Sequence, residues 1–336
     1  MGHVKNPILR IGIHLILIVW ILYSVVPFAW TVLTSIKHPI DANARIPQII
    51  GFEATADNYA ELWLNGPLKQ FAPYAIGLLA LFAVLIVVGI LSKNWRRVSR
   101  PAVAAGIVIV LVGALLLLPK LTNMAEFYGY FLNSVIVTVC TLVVSISIGC
   151  LAGYGLARYT GILSIVILVA ALGFRALPRM AFVLPYYFLG QMTGLYDTYL
   201  LLILTLVAVN QPFTIWMLRS FFMEIPREIE EAAMMDGAGR LQSFLRVIVP
   251  ITWPGIITTG LFTLLLAYNE FLLARILTQS KWTLPVAIAQ YTSGEDASHL
   301  AIAAAGSVSI TLPIIFVIIV FQKYLVKGLA SGAVKG

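Results

Sequence analysis

The sequence predicts an all-α polytopic membrane protein of about eight transmembrane helices, and three observations carry that reading. Hydrophobic residues make up 60% of the 336 positions and charged residues only 11%, with a mean hydropathy of +0.96; a soluble domain is nearer one half apolar and about a quarter charged. Apolar runs of roughly twenty residues recur along the chain, the length that crosses a hydrocarbon core of about 30 Å as helix. The runs are also roughly twice as long as barrel strands and show no alternating polarity, and only helices or closed barrels satisfy backbone polar groups in lipid. A water-soluble enzyme is excluded on these grounds.

The first run, 11–36, follows a short basic flank at Lys5 and Arg10. It exceeds the h-region of a signal peptide, about 7–15 residues, and lacks a small-residue cleavage site, so it reads as an uncleaved span. Residues 37–72 carry Pro39, Pro47 and Pro67 with Asp41, Glu53, Asp57 and Glu61, and form a polar loop. Two runs at 73–91 and 101–119, apolar all round, enclose the basic turn Ser92 to Arg100 and make a hairpin. The run 131–157 holds both cysteines, Cys140 and Cys150, which read as small buried thiols with no disulfide framework. The histidines at 3, 14, 38 and 299 have no metal-ligand spacing. Runs at 162–189 and 198–218 come next, then a polar loop over 219–247, runs at 248–274 and 300–322, and a tail over 323–336.

The net charge of +8 is a matter of topology. With the N-terminus cytoplasmic, fourteen of the 22 Lys and Arg fall on the cytoplasmic side, at Lys5, Arg10, Lys93, Arg96, Arg97, Arg100, Arg158, Arg219, Arg227, Arg240, Arg246, Lys323, Lys327 and Lys335. Six lie outside, at Lys37, Arg45, Lys69, Lys120, Arg275 and Lys281, and Arg175 and Arg179 sit within a span. This is the positive-inside pattern, with both termini cytoplasmic and loop 37–72 external. A nucleic-acid partner is not implied.

The loop after the sixth run reads as a helix start. Pro226 has the fixed φ suited to a first turn, and Glu228, Glu230 and Glu231 put negative charge at the positive end of the helix dipole. Ala232 and Ala233 favour helix, Asp236-Gly237-Ala238-Gly239 is a turn signal, and Leu241, Phe244, Leu245 and Ile248 resume at helical spacing. Two short helices joined at Gly237 follow, with an Ala/Gly patch. Such a patch suits either another protein or the chain's own bundle.

Glu231-Ala232-Ala233, three residues, Gly237, nine residues, then Val247-Ile248-Val249-Pro250 resembles the EAA loop of ATP-binding-cassette import permeases, with Val247 and Val249 in place of the usual Ile and Leu. The segments Gly194 to Tyr199 and Tyr268-Asn269-Glu270-Phe271, with the tail Leu325 to Gly336, are similar to the carbohydrate-uptake branch, and the tail to its second, maltose-type permease subunit. The resemblance covers 1–60 and 127–336, with a permease core over 127–322 and its coupling loop at 219–250. It implies a membrane subunit, in a bacterial-type inner membrane, of an importer of a sugar, polyol or related carbohydrate. ATPase coupling would then fall to Glu231, Ala232, Ala233, Asp236, Gly237, Ala238 and Pro250. The implied partners are a pair of ATPase subunits that hold ATP and Mg, a second permease subunit and an extracytoplasmic solute-binding protein. No Walker motif occurs in this chain, so no cofactor and no catalysis are expected on it. Residues 70–126 depart from the branch's six-span pattern, and the two extra helices at 73–119 leave the downstream topology unchanged.

Polar groups within spans are the candidates for a substrate path, because lipid penalises them. Asn210 and Gln211 precede Pro212, where a missing N–H frees a carbonyl and predicts a kink; they suit a sugar hydroxyl or a bond between helices. Arg175 and Arg179 flank Pro178 and would share one face of an unbroken helix. Three readings stand for them: pairing with Glu270 or Asp197, recognition of an anionic sugar derivative bearing phosphate, sulfonate or carboxylate, and an interfacial position. Asn133, Asn269 and Glu270, near the outer ends of their spans, suit a gate or plain helix-end solvation. A secondary transporter would need its own coupling-ion site and usually shows inverted repeats; no such repeat is found, and the EAA loop has no role in that model. An intramembrane enzyme would need a catalytic set that the spans do not hold.

Overall fold

The computed structural model describes residues 7–65, 126–159, 161–292 and 297–333; the hairpin expected at 73–119 lies outside them. Five described helices are long and apolar enough to cross a membrane, or six if one bent pair counts as a span. They coincide with the six runs expected outside the hairpin. Among the described residues the only β pairing is an isolated bridge, Lys37 with Ala54. The chain divides into two compact units, Met1–Gly129 with Ile288–Ser309, and Tyr130–Ala287 with Ile310–Gly336.

In the first unit, helix α1 (Pro7–Ser35) exposes apolar side chains on every side from Leu9 to Trp30, as a helix that meets lipid does. Short helices α2 (Pro39–Ala42) and α3 (Asp57–Leu64) follow. Pro39 starts α2, Thr55 Oγ1 accepts from the Asp57 N–H at the head of α3, and Asn65 ends α3 in the left-handed region at φ 54°. Asn58 donates to the carbonyls of Ser35 and Lys37 at 2.9 and 2.7 Å. Lys37, counted above among the basic residues on the outer side, is 1% exposed; its ammonium donates to the Gln48 carbonyl and lies over the rings of Trp30 and Phe52. Trp63 packs edge-on against Phe127 and donates to Ser309 Oγ at 3.0 Å.

The second unit is built on α4 (Glu126–Arg158), α5 (Ile162–Arg175), α6 (Met180–Thr193) and α7 (Tyr199–Met223). The Tyr199 hydroxyl donates to Asn133 and Gln211 Nε2 to the Ser145 carbonyl, both pairs 66 residues apart, so α4 and α7 run parallel in register. Gly149 and Gly153 permit the approach: a Cβ at Gly149 would lie 2.8 Å from Thr214 Cγ2, and one at Gly153 3.0 Å from the Arg219 backbone N. Helix α8 (Arg227–Met235) leads to α9 (Arg240–Ser243), a π-turn over Phe244–Ile248, and α10 (Val249–Tyr268). The wide turn sits where Pro250 has no N–H to give. Helix α10 runs antiparallel to α7, with Thr263 against Thr214 at 3.0 Å and Gly255 against Phe221. Helices α11 (Leu272–Leu277), α12 (Leu284–Thr292) and α13 (Ala297–Ala333) complete the order.

Three expectations need correction. The run 162–189 is not one helix: α5 and α6 meet at 90° around Pro178, which cannot donate to a preceding carbonyl. Arg175 and Arg179 therefore do not share a continuous face. The run 248–274 stops at Tyr268, and α11 restarts at Leu272. Pro212, by contrast, lies inside an unbroken α7, whose face through Leu206, Asn210, Thr214 and Leu218 is buried on both sides of it; packing along that face outweighs one missing bond.

Candidate functional site

Two constellations of the second unit combine exposure with fixed geometry. The first is α8. Pro226 is its N-cap, Glu228 and Glu230 occupy its first turn, and none of its residues is buried. Gly237, at φ +88°, follows its C-terminus; its N–H bonds the Met234 carbonyl at 3.0 Å and that of Ala238 bonds the Ala233 carbonyl at 3.1 Å. This pair of bonds is a Schellman ending, which calls for a left-handed residue at that point. Glu231, Ala232, Asp236 and Gly237 are exposed, and Ala233 and Ala238 half-buried.

Helix α8 is tied at its start. Arg158, the last residue of α4, donates from Nε to Glu230 Oε2 at 2.8 Å and from Nη1 to the Ile225 carbonyl at 3.1 Å. The Tyr154 hydroxyl also donates to Glu230, and Arg227 donates to the Arg158 carbonyl at 2.8 Å. The guanidinium thus faces the carbonyl end following α7, while the carboxylate sits at the amino end of α8, each matched to the local helix dipole. A cavity of about 330 Å³ beside them is lined by Tyr154, Arg158, Arg227, Glu230, Glu231 and Met234, among others. This latch was not foreseen: Arg158 was counted only as a basic residue and Glu230 only as a first-turn acid. Tyr154 and Arg158, one turn apart at the end of a long apolar helix, were the available signal.

The second constellation lies where one span bends and another ends. Arg179, at the α5–α6 bend, pairs with Glu270 in the gap between α10 and α11. Glu270 is 5% exposed and also accepts from the Leu273 N–H at 3.2 Å, capping α11; it is not solvated at a helix end. Asn269 beside it is exposed and donates to the Leu265 carbonyl at 2.9 Å. A cavity of about 480 Å³ opens there. Arg175 is not among the residues lining it and stacks over the Phe213 ring, 4.3 Å from its centroid.

The other path candidates are elsewhere. Asn210 is 1% exposed, and neither of its side-chain polar atoms has a partner among the described residues. Gln211 is held by the Ser145 carbonyl. Asn133, expected near a span end, is 8% exposed and bonds Trp282 and Tyr199, so it ties the bundle together. Asp197 neutralises neither arginine. It sits at φ 60° and accepts from the Gln279 and Ser280 N–H groups at 2.7 and 2.8 Å and from Ser280 Oγ at 2.7 Å. Burial pushes its carboxyl up, but these bonds and one from the Lys281 N–H outweigh that and hold it below the ordinary carboxylate range. In the first unit, a cavity of about 710 Å³ is lined by Asp57, Glu61, Glu126 and His299, among others. Among the described residues no group of three or more His, Cys, Asp or Glu is arranged for a metal ion.

With this geometry in place, the comparisons with known proteins are decisive. A family model described as the binding-protein-dependent transport system inner membrane component matches residues 145–331, more than half of the chain. The chain belongs to this family. Both constellations fall within the matched permease region. Among its relatives, the trehalose transport system permease protein SugB of Mycobacterium tuberculosis is 38% identical over 213 residues, 62% of this chain and 78% of the relative. The trehalose/maltose transport system permease protein MalG of Thermococcus litoralis is 32% identical over 213 residues, 63% and 77% of the two chains. A crystal structure of a bacterial ABC transporter involved in the import of the acidic polysaccharide alginate matches 96% of this permease and 99% of its own chain at TM-score 0.65. At 18% identity that likeness bears on the fold alone.

Proposed function

We propose that this permease is one of two membrane subunits of an ATP-driven importer that receives a sugar, polyol or related carbohydrate from an extracytoplasmic solute-binding protein. The observation that carries the reading is α8, a helix with no buried residue that is nevertheless fixed at both ends, by Arg158 and Glu230 at its start and by the Gly237 turn at its finish. An exposed but rigid helix suits docking into a cytoplasmic ATPase, whose closure it would pass to α4, α7 and α10 as a rigid-body switch. ATP and Mg belong to the ATPase pair, and this chain supplies the coupling surface: Glu231, Ala232, Ala233, Asp236, Gly237 and Ala238, with Pro250 at the foot of α10. The basic-residue bias supports a cytoplasmic position for α8 and for both termini.

The carbohydrate assignment draws on relatives named for trehalose and maltose transport and on the polar groups of the spans. Asn210 and Gln211, within a packed α7, would reach the path only in a state in which α7 and α10 part. The deciding experiment is purification of the tagged permease from its native membrane, followed by reconstitution. An ATPase and a second permease are expected to co-purify, and the reconstituted complex is expected to take up a sugar only with ATP and the binding protein. Purification of the chain without any ATPase would overturn the reading.

A further inference from the structure

Resting on that reading, we propose that Arg179, Asn269 and Glu270 form a sugar-binding subsite on this chain itself, selective for an uncharged ring. The subsite lies where two helices are interrupted, α5–α6 at Pro178 and α10–α11 at Asn269 to Phe271. A helix broken within a span, as α5–α6 is, is tolerated where the freed backbone is buried in protein or lines a water-filled cavity, and discontinuous helices are a common way to build a transporter site. The cavity here, about 480 Å³, has the size of a small-molecule site, roughly 300–1,000 Å³.

Its lining matches a saccharide. Arg179 offers N–H donors, the Glu270 carboxylate accepts, and the exposed Asn269 amide does both. Vicinal hydroxyls, each donor and acceptor at once, are complementary to such a set. Phe262 and Phe271 line the same cavity, and an aromatic face, negative at its centre, suits the C–H face of a pyranose.

Charge settles the class. Glu270 neutralises Arg179, and Arg175, which would have made a dicationic clamp, stacks on Phe213 and is not among the lining residues. An anionic sugar would meet a guanidinium already paired and a carboxylate beside it, and that carboxylate repels it. A neutral sugar meets no such penalty.

The test uses the complete complex of ATPases, both permeases and binding protein in proteoliposomes, with trehalose, maltose, glucuronate and maltobionate as probes. The expected result is ATP-dependent uptake of a neutral probe, with Asn269→Ala and Glu270→Gln each raising its KM about tenfold. Arg175→Gln is expected to leave KM within about twofold. Glu270→Gln, which unmasks Arg179, is expected to shift preference toward the acidic probe. Asn269 is exposed, so its variant assembles even if loss of the Glu270 pair disturbs folding. Wild-type KM in Asn269→Ala and Glu270→Gln, preferential uptake of an acidic probe by the unaltered complex, or an equal loss in Arg175→Gln overturns the subsite. Failure of the unaltered complex to move these probes or any sugar or polyol of a wider panel with ATP overturns the importer reading instead, and the subsite with it.

Discussion

At the scale of single residues, Gly237 and Asp197 illustrate two different reasons for a left-handed backbone. Among the described residues nothing lies within 4 Å of where a Cβ on Gly237 would sit, yet its φ is +88°, so the demand there is conformational and not steric. Gly237→Asn, which tolerates that region, is therefore expected to keep most uptake. Gly237→Val is expected to lose it while membrane insertion stays normal; equal uptake by the two variants would mean that the turn has no role. Asp197, at φ 60°, gathers the loop over Gln279 to Lys281 around its carboxylate. Because its folded pKa lies below the unfolded value, its stabilisation is present above the ordinary Asp value and is lost as pH falls through the folded one. Asp197→Asn, which keeps the backbone preference, should cost about 1 kcal/mol at pH 7, with the gap closing in acid. Melting curves of the purified complex across pH measure this. The turn at Gly237 was legible from its Asp-Gly-Ala-Gly signal, although its left-handed φ was not spelled out, whereas the partners of Asp197 are more than eighty residues away and left no local sign.

At the scale of elements, the Arg158 to Glu230 latch makes α4 and α8 one mechanical piece. Both side chains are largely buried, at 17% and 13% exposure, and a buried charge left without its partner is costly. Glu230→Gln is expected to leave ATP hydrolysis near normal while sugar moved per ATP falls about tenfold, since α8 would then shift without carrying α4. A preserved ratio of transport to hydrolysis would sink the latch. The elements themselves were largely readable. Of the six apolar runs, five became helices long and apolar enough to cross a membrane and the sixth a pair bent by 90°. Their interruptions were less readable. Pro178 breaks a span and Pro212 does not, and the local chemistry of the two prolines is the same. What differs is the packing of the flanking turns: α7 is buried on both sides of Pro212, while Ala176 to Pro178 are exposed.

At the scale of the whole molecule, composition and the distribution of basic residues determined a multi-pass helical protein, and the spacing of one loop determined its family. The segment 73–119, outside the described residues, is expected to hold two helices, so its deletion is expected to leave the downstream orientation unchanged. A cysteine placed at Gly237 in a Cys140- and Cys150-free background checks this: it should be labelled from the cytoplasmic side with or without the segment. What the sequence determined by itself are properties summed along the chain: hydrophobic run length, charge asymmetry and motif spacing depend only on neighbours in order. Which arginine is paired, which glutamate caps a helix and which asparagine is exposed were decided by tertiary structure. Glu270 meets Arg179 across ninety-one positions only because one span bends where another ends, and no local pattern encodes a contact between two such points.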